Sequence, residues 1–223
     1  MSDLLLSSGF LAFARHAGVV QALRERAHAI DAIVGTSSGA VVGALIAAGH
    51  APNLIMAELT RQPPRASLIV SIQPWRGMFR LDRMLEDLKK LLPPTFEALK
   101  TPLGVGVVDA QKKHRLITSG PLPEAVVASC AMPYVFVPVE VGGETFYDGG
   151  ALDRLAVDAW RAWRPGKKAI AHHVAKTRGV DVTTDLTGVT VIKTPASGAS
   201  LLSFGDWRKQ MEEARAIAAE IRP

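Results

Sequence analysis

Cysteine is nearly absent from this sequence, since Cys130 is the only one. A single thiol cannot form an internal disulfide, which suits a protein that folds in a reducing compartment. The amino terminus lacks the basic segment of a secretory signal, and the longest uncharged apolar run, residues 39–49, is shorter than the ~20 residues of a membrane-spanning helix. We therefore expect a cytoplasmic protein that meets membranes only at their surface.

Several binding signatures are also missing. No Cys, His and acidic residues have the spacing of a zinc site or an EF-hand, and no G-x-x-x-x-G-K-[S/T] run is present. The formal net charge of +5 comes from scattered Lys and Arg residues, without the basic stripe of a nucleic-acid-binding protein. We predict no metal, no cofactor and no nucleic-acid partner, and the positive charge favours transient contact with an anionic membrane. Nothing in the sequence indicates an oligomeric state.

What the sequence does contain is a repeated order of short apolar strands and helices. Strands are predicted before Asp148 and at residues 4–6, 29–34, 105–108, 116–118, 169–174 and 189–193. Helices are predicted after Gly9 and at residues 40–48, 81–92, 123–130 and 206–221. This order predicts a three-layer α/β/α fold with a mostly parallel central sheet, and the length suits one domain over residues 1–223.

Residues 51–80 break this regularity. Pro63, Pro64 and Pro74 are expected to interrupt any long element there. The apolar cluster from Leu68 to Phe79 is punctuated by arginines, which are Arg65, Arg76 and Arg80. One interpretation is a lid over an acyl chain whose basic residues meet lipid phosphates; ordinary core packing is the other.

A candidate nucleophile lies in Gly35-Thr36-Ser37-Ser38-Gly39, which matches G-x-S-x-G. In this pattern a sharp turn from a strand into a helix exposes a serine hydroxyl, and the glycines leave room for neighbouring backbone. A β-branched strand precedes the motif and an apolar helix follows it, as the mechanism requires. The loop at residues 7–11 follows the first strand, so it is expected on the same rim of the sheet, where its amides would suit an oxyanion hole.

The sequence resembles patatin-like phospholipases over residues 4–157. The likeness rests on S-S-G-F-L-A-F at 7–13, G-T-S-S-G at 35–39, A-S-C-A-M-P at 128–133 and D-G-G at 148–150. It implies a lipid acyl hydrolase in which Ser37 is the nucleophile and Asp148 its base, without a histidine. Gly35 and Gly39 would shape the nucleophile turn, and Gly149 and Gly150 the D-G-G turn. The oxyanion hole would use the amides of Gly9, Phe10, Leu11 and Ser38, although the loop lacks the successive glycines and basic residue of many members.

Two alternatives remain open. Ser37, Asp148 and either His172 or His173 follow the chain order of an α/β-hydrolase triad. The two histidines are adjacent in a predicted strand, so at most one of them faces the serine. A patatin-like fold that binds lipid or a partner protein with little turnover is the other alternative. Under the main interpretation the substrate is a phospholipid, a lysophospholipid or an acylglycerol.

Overall fold

The computed structural model describes residues 1–176 and 185–221. Within these ranges the strands are β1 (Ser2–Leu6), β2 (Ile30–Thr36), β3 (Ile69–Val70), β4 (Phe79–Arg80), β5 (Leu103–Asp109), β6 (His114–Ile117), β7 (Val139–Val141), β8 (Glu144–Asp148), β9 (Ala169–Val174) and β10 (Val189–Thr194). The α-helices are α1 (Phe13–Glu25), α2 (Ser38–Ala47), α3 (Pro52–Leu59), α4 (Asp82–Leu91), α5 (Leu122–Ala128), α6 (Val157–Trp163) and α7 (Trp207–Glu220). Short 3-10 helices cover Pro64–Ser67, Phe96–Ala98 and Gly149–Ala151.

The described strands form a large sheet and a small hairpin. The sheet has the order β10-β9-β1-β2-β5-β8-β7, with β6 also paired to β5, while β3 and β4 form the hairpin. Strands β10, β9, β1, β2 and β5 are parallel, whereas β6, β7 and β8 add antiparallel pairs. Parallel strands are covered on both faces, and β5 is buried along its whole length. The predicted, mostly parallel sheet is confirmed.

Two strands share one edge of β5. Strand β6 pairs with residues 105–108, which overlap both the part of β5 that contacts β2 and the part that contacts β8. Strands β2 and β8 therefore lie end to end along the opposite edge. Thr36 at the end of β2 pairs with Gly106, and Asp148 at the end of β8 pairs with Val107. Because Gly106 and Val107 are consecutive, the sheet register brings the chain after Thr36 towards Asp148.

Helices cover both faces of the sheet. Leu4 and Leu6 of β1 join the core that includes residues of α1, α2 and α7. Leu5, which points the other way, packs in a second core with Val34 and with Trp160 of α6. This arrangement confirms the predicted three-layer α/β/α fold. None of the helices in the described part of the chain is long and apolar enough to cross a bilayer.

Residues 51–80 contain short elements that the sequence does not predict. Helix α3 occupies Pro52–Leu59, and β3 and β4 form the hairpin. Pro52 lies in the first turn of α3, where its lack of an N–H group costs no intrahelical hydrogen bond, so it is compatible with the start of the helix. Helix α6 is not predicted from sequence either, because seven residues are too few to display a clear period.

Candidate active site

Ser37 occupies a strained turn between β2 and α2. Its backbone angles are φ 54° and ψ −119°, in the left-handed half of conformational space that residues with a side chain rarely adopt. The two flanking positions must be glycine because neither has room for a side chain. A Cβ on Gly39 would overlap the carbonyl oxygen of Leu6, and one on Gly35 would overlap the carbonyl oxygen of Gly39. We call residues 35–39 the elbow.

Ser129 holds the elbow in place. Its hydroxyl oxygen accepts a hydrogen bond from the Ser37 amide at 2.8 Å, and the same hydroxyl donates to the carbonyl oxygen of Gly106 at 2.6 Å. Ser129 is completely buried at the end of α5. It therefore ties the strained turn to β5. This role of Ser129 is not predicted from the sequence, where its only signal is membership of the A-S-C-A-M-P stretch.

Asp148 is a buried carboxyl group that faces the elbow. Its amide donates to the carbonyl oxygen of Ala131 at 2.9 Å, and its Oδ1 accepts from the Gly150 amide at 2.7 Å. Burial raises the pKa of Asp148 from 3.8 to about 6. Hydrogen bonding by the Gly150 amide and then by the Ser37 hydroxyl favours the ionised form and limits that rise in pKa. The carboxyl group is thus a stronger base than an exposed aspartate.

Gly149 and Gly150 let the chain turn closely after Asp148. A Cβ on Gly149 would overlap the carbonyl oxygen of Gly106, and one on Gly150 would lie 2.6 Å from the side chain of Ser8. The D-G-G turn therefore packs between β5 and the loop that follows β1. This contact brings the loop and the carboxyl group to the same side of the elbow.

Cys130 also lies beside Ser37. Burial raises the pKa of its thiol, and the charge of Asp148 raises it further, while hydrogen bonding with Ser37 acts in the opposite direction. The thiol therefore stays protonated at neutral pH. Because the thiolate is the nucleophilic form of cysteine, this environment makes Ser37 the better candidate for nucleophilic attack.

The loop at residues 7–11 is braced by Arg154. The guanidinium of Arg154 donates to the Ser8 carbonyl oxygen at 2.7 Å, to the Ser8 hydroxyl at 3.1 Å and to the Val174 carbonyl oxygen at 2.7 Å. Leu11 has a positive φ of 48°, which turns the loop into α1. Within residues 1–176 and 185–221, the amides of residues 9–11 and of Ser38 have no protein hydrogen-bond acceptor. These donors line the same cavity as Ser37.

The histidines lie in a separate buried network. Nδ1 of His172 is 2.8 Å from Nδ1 of His16, and Nε2 of His172 is 2.9 Å from the Thr194 hydroxyl. The other ring nitrogen of His16 is 3.4 Å from the Ser38 hydroxyl. Mainly because of burial, the pKa of His16 is lowered to about 3, and the pKa of His172 is also lowered. Both rings are therefore neutral, and both nitrogens of His172 are engaged away from Asp148.

His173 points elsewhere than its neighbour. Its Nε2 lies 3.2 Å from the Arg154 guanidinium. The structure thus brings Ser37, Asp148 and the loop amides together, and it places His172 and His173 in contacts with other residues. Among the residues that the structure describes, no three His, Cys, Asp or Glu side chains are grouped as a metal site would require.

A cavity of about 980 Å³ opens in front of Ser37 and Asp148. Its lining is largely apolar, and it includes Leu11, Phe13, Val41, Leu81, Leu88 and Phe136. Charged side chains also line it, among them the half-buried Glu58 and the exposed Arg83, Asp87 and Lys90. The cavity can therefore accept a long apolar group next to the Ser37 hydroxyl while a polar group stays near solvent.

Comparison with known proteins agrees with this fold. The family model described as patatin-like phospholipase matches residues 4–160. Two uncharacterised NTE family proteins of Mycobacterium tuberculosis are 37% identical over 156 residues and 30% identical over 173 residues. These alignments cover 68% and 74% of this chain but only 43% and 29% of the relatives, so the chain spans less than half of their length. The crystal structure of VipD from Legionella pneumophila is similar in fold, with a TM-score of 0.58, 14% identity, and coverage of 98% of this chain and 65% of that one.

Proposed function

Because this chain belongs to the patatin-like phospholipase family, we propose that it is a serine hydrolase that cleaves carboxylic ester bonds of lipids. The observation that carries the proposal is the convergence of the strained Ser37 turn and the buried Asp148 carboxyl on consecutive residues of β5, at the wall of one largely apolar cavity. A phospholipid, lysophospholipid or acylglycerol supplies an acyl chain and an ester of the required kind.

In the proposed reaction Asp148 accepts the proton of the Ser37 hydroxyl as its oxygen attacks the ester carbonyl. The tetrahedral intermediate collapses, the bond to the alcohol breaks, and Asp148 returns the proton to the departing alcohol. Water then attacks the acyl-enzyme with Asp148 as base, which releases the fatty acid and restores Ser37. The raised pKa of Asp148 supports this role, since a base whose pKa lies near the working pH transfers protons most effectively.

The negative charge of the intermediate needs hydrogen-bond donors. We assign this role to the amides of Gly9, Phe10, Leu11 and Ser38, which have no acceptor within the described ranges. The amino-terminal end of α2 adds a partial positive charge at the same place. Arg154 acts through the loop, because its three hydrogen bonds to Ser8 and Val174 fix the loop backbone.

We propose that residues 1–223 form one domain. Helix α7 packs on α1, where Arg15 and Glu213 form an ion pair at 2.7 Å, and β10 extends the same sheet as β1. Helix α7 and strand β10 therefore belong to the same core as the elbow. A cytoplasmic location, with transient contact at an anionic membrane, is part of this proposal and rests on the single cysteine and the charge of +5.

Hydrolysis of p-nitrophenyl esters with a series of chain lengths tests the proposal. We expect the wild-type protein to hydrolyse them, with a preference for longer acyl chains, and Ser37→Ala and Asp148→Asn to reduce kcat by about 10³-fold or more. A wild-type rate equal to that of Ser37→Ala would contradict the proposal and would favour the second candidate, a module that binds lipid or a partner protein without turnover.

The histidine alternative is tested in the same assay. His172→Ala and His173→Ala are each expected to keep kcat within about tenfold of wild type, since neither ring is the base in the proposed dyad. The replacement of His172 also removes two buried hydrogen bonds, so its folding is checked by circular dichroism. Loss of several orders of magnitude in a folded His172→Ala or His173→Ala protein would establish a triad instead.

A further inference from the structure

The β3–β4 hairpin exposes several large apolar side chains. Val70, Ile72 and Trp75 are 75%, 86% and 79% exposed, and Met78 is 50% exposed. Tyr134, on a neighbouring segment, is 90% exposed. Single exposed apolar residues are common on soluble proteins, but such a concentration on one hairpin marks an interaction surface. We call residues 70–78, with Met132 and Tyr134, the hairpin face.

The hairpin face lies beside the candidate active site. The Phe79 amide donates to the carbonyl oxygen of Val135 at 2.9 Å, and the Val137 amide donates to that of Phe79 at 2.8 Å. These bonds attach the hairpin to the segment that contains Met132 and Phe136, both of which line the cavity. Pro64, Ala66, Ser67 and Leu68, which lead into β3, also contribute to the cavity wall. The hairpin that carries the exposed apolar side chains is thus joined to two segments that line the cavity containing Ser37.

The segments that form and adjoin the hairpin face contain basic residues and no acidic ones, while Glu58, Glu86 and Asp87 from the helices on either side line the cavity. Residues 59–81 contain four arginines and no acidic residue, and residues 130–139 contain no charged residue. Arg80 is paired with Asp82 at 2.8 Å. Arg65 and Arg76 are exposed, and neither forms an ion pair with any residue that the structure describes. Their charges are therefore available to phosphate groups outside the protein.

We propose that the hairpin face docks on an anionic phospholipid bilayer and seats the cavity mouth against it. Ile72 and Trp75 enter the interface between headgroups and acyl chains, while Arg65 and Arg76 contact lipid phosphates. An amphipathic Trp or Tyr side chain beside Arg suits this zone of a bilayer. The inference rests on the proposed function, because it gives a lipid substrate a route from the bilayer to Ser37 that avoids water.

Vesicle flotation with ether-linked lipids tests the docking surface separately from hydrolysis, because these lipids lack the carboxylic ester bond. Wild-type protein is expected to float with mixed phosphatidylglycerol and phosphatidylcholine vesicles and to bind phosphatidylcholine vesicles at least tenfold more weakly. Replacement of Arg65 and Arg76 by Glu is expected to weaken binding to the anionic vesicles by about 25-fold or more. Trp75→Ser combined with Ile72→Ser is expected to weaken it by at least tenfold.

Matched controls come from other surfaces of the protein. Lys167→Glu with Lys168→Glu makes the same charge change just before the amino-terminal end of β9, whereas the elbow follows the carboxyl-terminal end of β2. Leu54→Ser removes an exposed leucine of α3. Both controls should bind like wild type. A blue shift of tryptophan emission on anionic vesicles, lost in Trp75→Phe, would independently support insertion of the hairpin.

Three outcomes would overturn the inference: no binding of wild-type protein to anionic vesicles, equal losses in the control variants, or a dimer in sedimentation that Trp75→Ser dissociates. The last would show that a second copy of the chain covers the hairpin face. Failure of the proposed function is distinguishable, since it would abolish hydrolysis of soluble p-nitrophenyl esters. Vesicle binding by an inactive protein would leave the docking surface standing, and ester hydrolysis without vesicle binding would refute only the docking surface.

Discussion

The elbow and the hairpin face border the same cavity, and they are built in different ways. In the elbow the backbone is strained, the glycine positions have no room for a Cβ, and the Ser37 amide is held by a buried hydroxyl. In the hairpin face large apolar side chains point to solvent, and the hairpin is bonded to the segment at 135–137 through the backbone of Phe79.

Under the proposed function and the proposed docking surface, the two regions have different tasks. Groups that react must be held in a fixed geometry, which the crowded sheet and helix around the elbow supply. A surface that meets varied lipids gains from exposure, and its side chains can change without disturbing the reacting groups. We therefore expect substitutions in the elbow to alter stability and chemistry together, and substitutions in the hairpin face to alter neither strongly.

The largest effect is expected from Gly39→Ala. The new Cβ would collide with the carbonyl oxygens of Leu6 and Ser7, which are backbone atoms that cannot move aside easily. We expect the free energy of unfolding to fall by about 3 kcal/mol or more, and ester hydrolysis to be lost. Urea unfolding monitored by circular dichroism measures the change. Gly198→Ala is the control, since nothing lies within 4 Å of the corresponding Cβ, and equal stability of the two variants would contradict the crowding argument.

Asp148→Asn should separate activity from stability. Burial raises the pKa of Asp148 from 3.8 to about 6, so the folded chain binds this proton more tightly than the unfolded chain does. Relative to the ionised group, the protonated Asp148 carboxyl stabilises the folded chain. This stabilisation is complete below about pH 4 and is lost as pH rises through about 6. Above that pH the ionised carboxylate destabilises the fold by up to ~3 kcal/mol.

We therefore expect Asp148→Asn to be more stable than wild type at pH 8 and similar to it at pH 4, in urea unfolding at the two pH values. Wild-type hydrolysis should decline as pH falls through about 6, because the base becomes protonated. An Asp148→Asn protein that is less stable than wild type at pH 8 would show that the carboxylate is well solvated or well paired.

Ser129→Ala should have an intermediate effect. It leaves the partly buried Ser37 amide without its acceptor, which costs about 1–3 kcal/mol of unfolding free energy. Because Ser129 orients the elbow and lies outside the proposed bond-making groups, kcat is expected to fall by about 10- to 100-fold while KM changes little. The exposed Ser203→Ala serves as control. A change in KM alone would contradict the orienting role.

The smallest effect is expected from Ile72→Ser. Its side chain is 86% exposed, so the free energy of unfolding should change by less than about 0.5 kcal/mol, and turnover of soluble esters should match wild type. Val126→Ser, on a completely buried residue of α5, should cost about 2 kcal/mol or more in the same urea titration. Comparable losses of unfolding free energy in the two variants would mean that Ile72 is packed against the protein, and the contrast with the elbow would then disappear.

The sequence predicts the elements that are marked by a long apolar run or by a repeated pattern of apolar residues. The apolar run after Gly39 and the strand before it define the turn at Ser37, and both are found in β2 and α2. The three-layer fold follows from the alternation of strands and helices. The likeness of the chain to patatin-like phospholipases, stated from short motifs, agrees with the family match over residues 4–160.

Other features depend on contacts between distant segments, which leave no local pattern. The hydrogen bonds of Ser129, the bracing of the loop by Arg154 and the pairing of His16 with His172 are set by how β5, β9 and α1 pack together. From the sequence the histidines of β9 are candidate bases, and only the fold places His172 against His16. The hairpin is likewise too short to produce a periodic signal.

Labelling with a fluorophosphonate tests the central claim most directly, because this probe reacts covalently with activated serine hydroxyls. The account predicts that Ser37 is the labelled residue in peptide mass spectrometry, that Asp148→Asn slows labelling by about 100-fold or more, and that His172→Ala labels at nearly the wild-type rate. Absence of label on Ser37, or a labelling rate that Asp148→Asn leaves unchanged, would contradict the account.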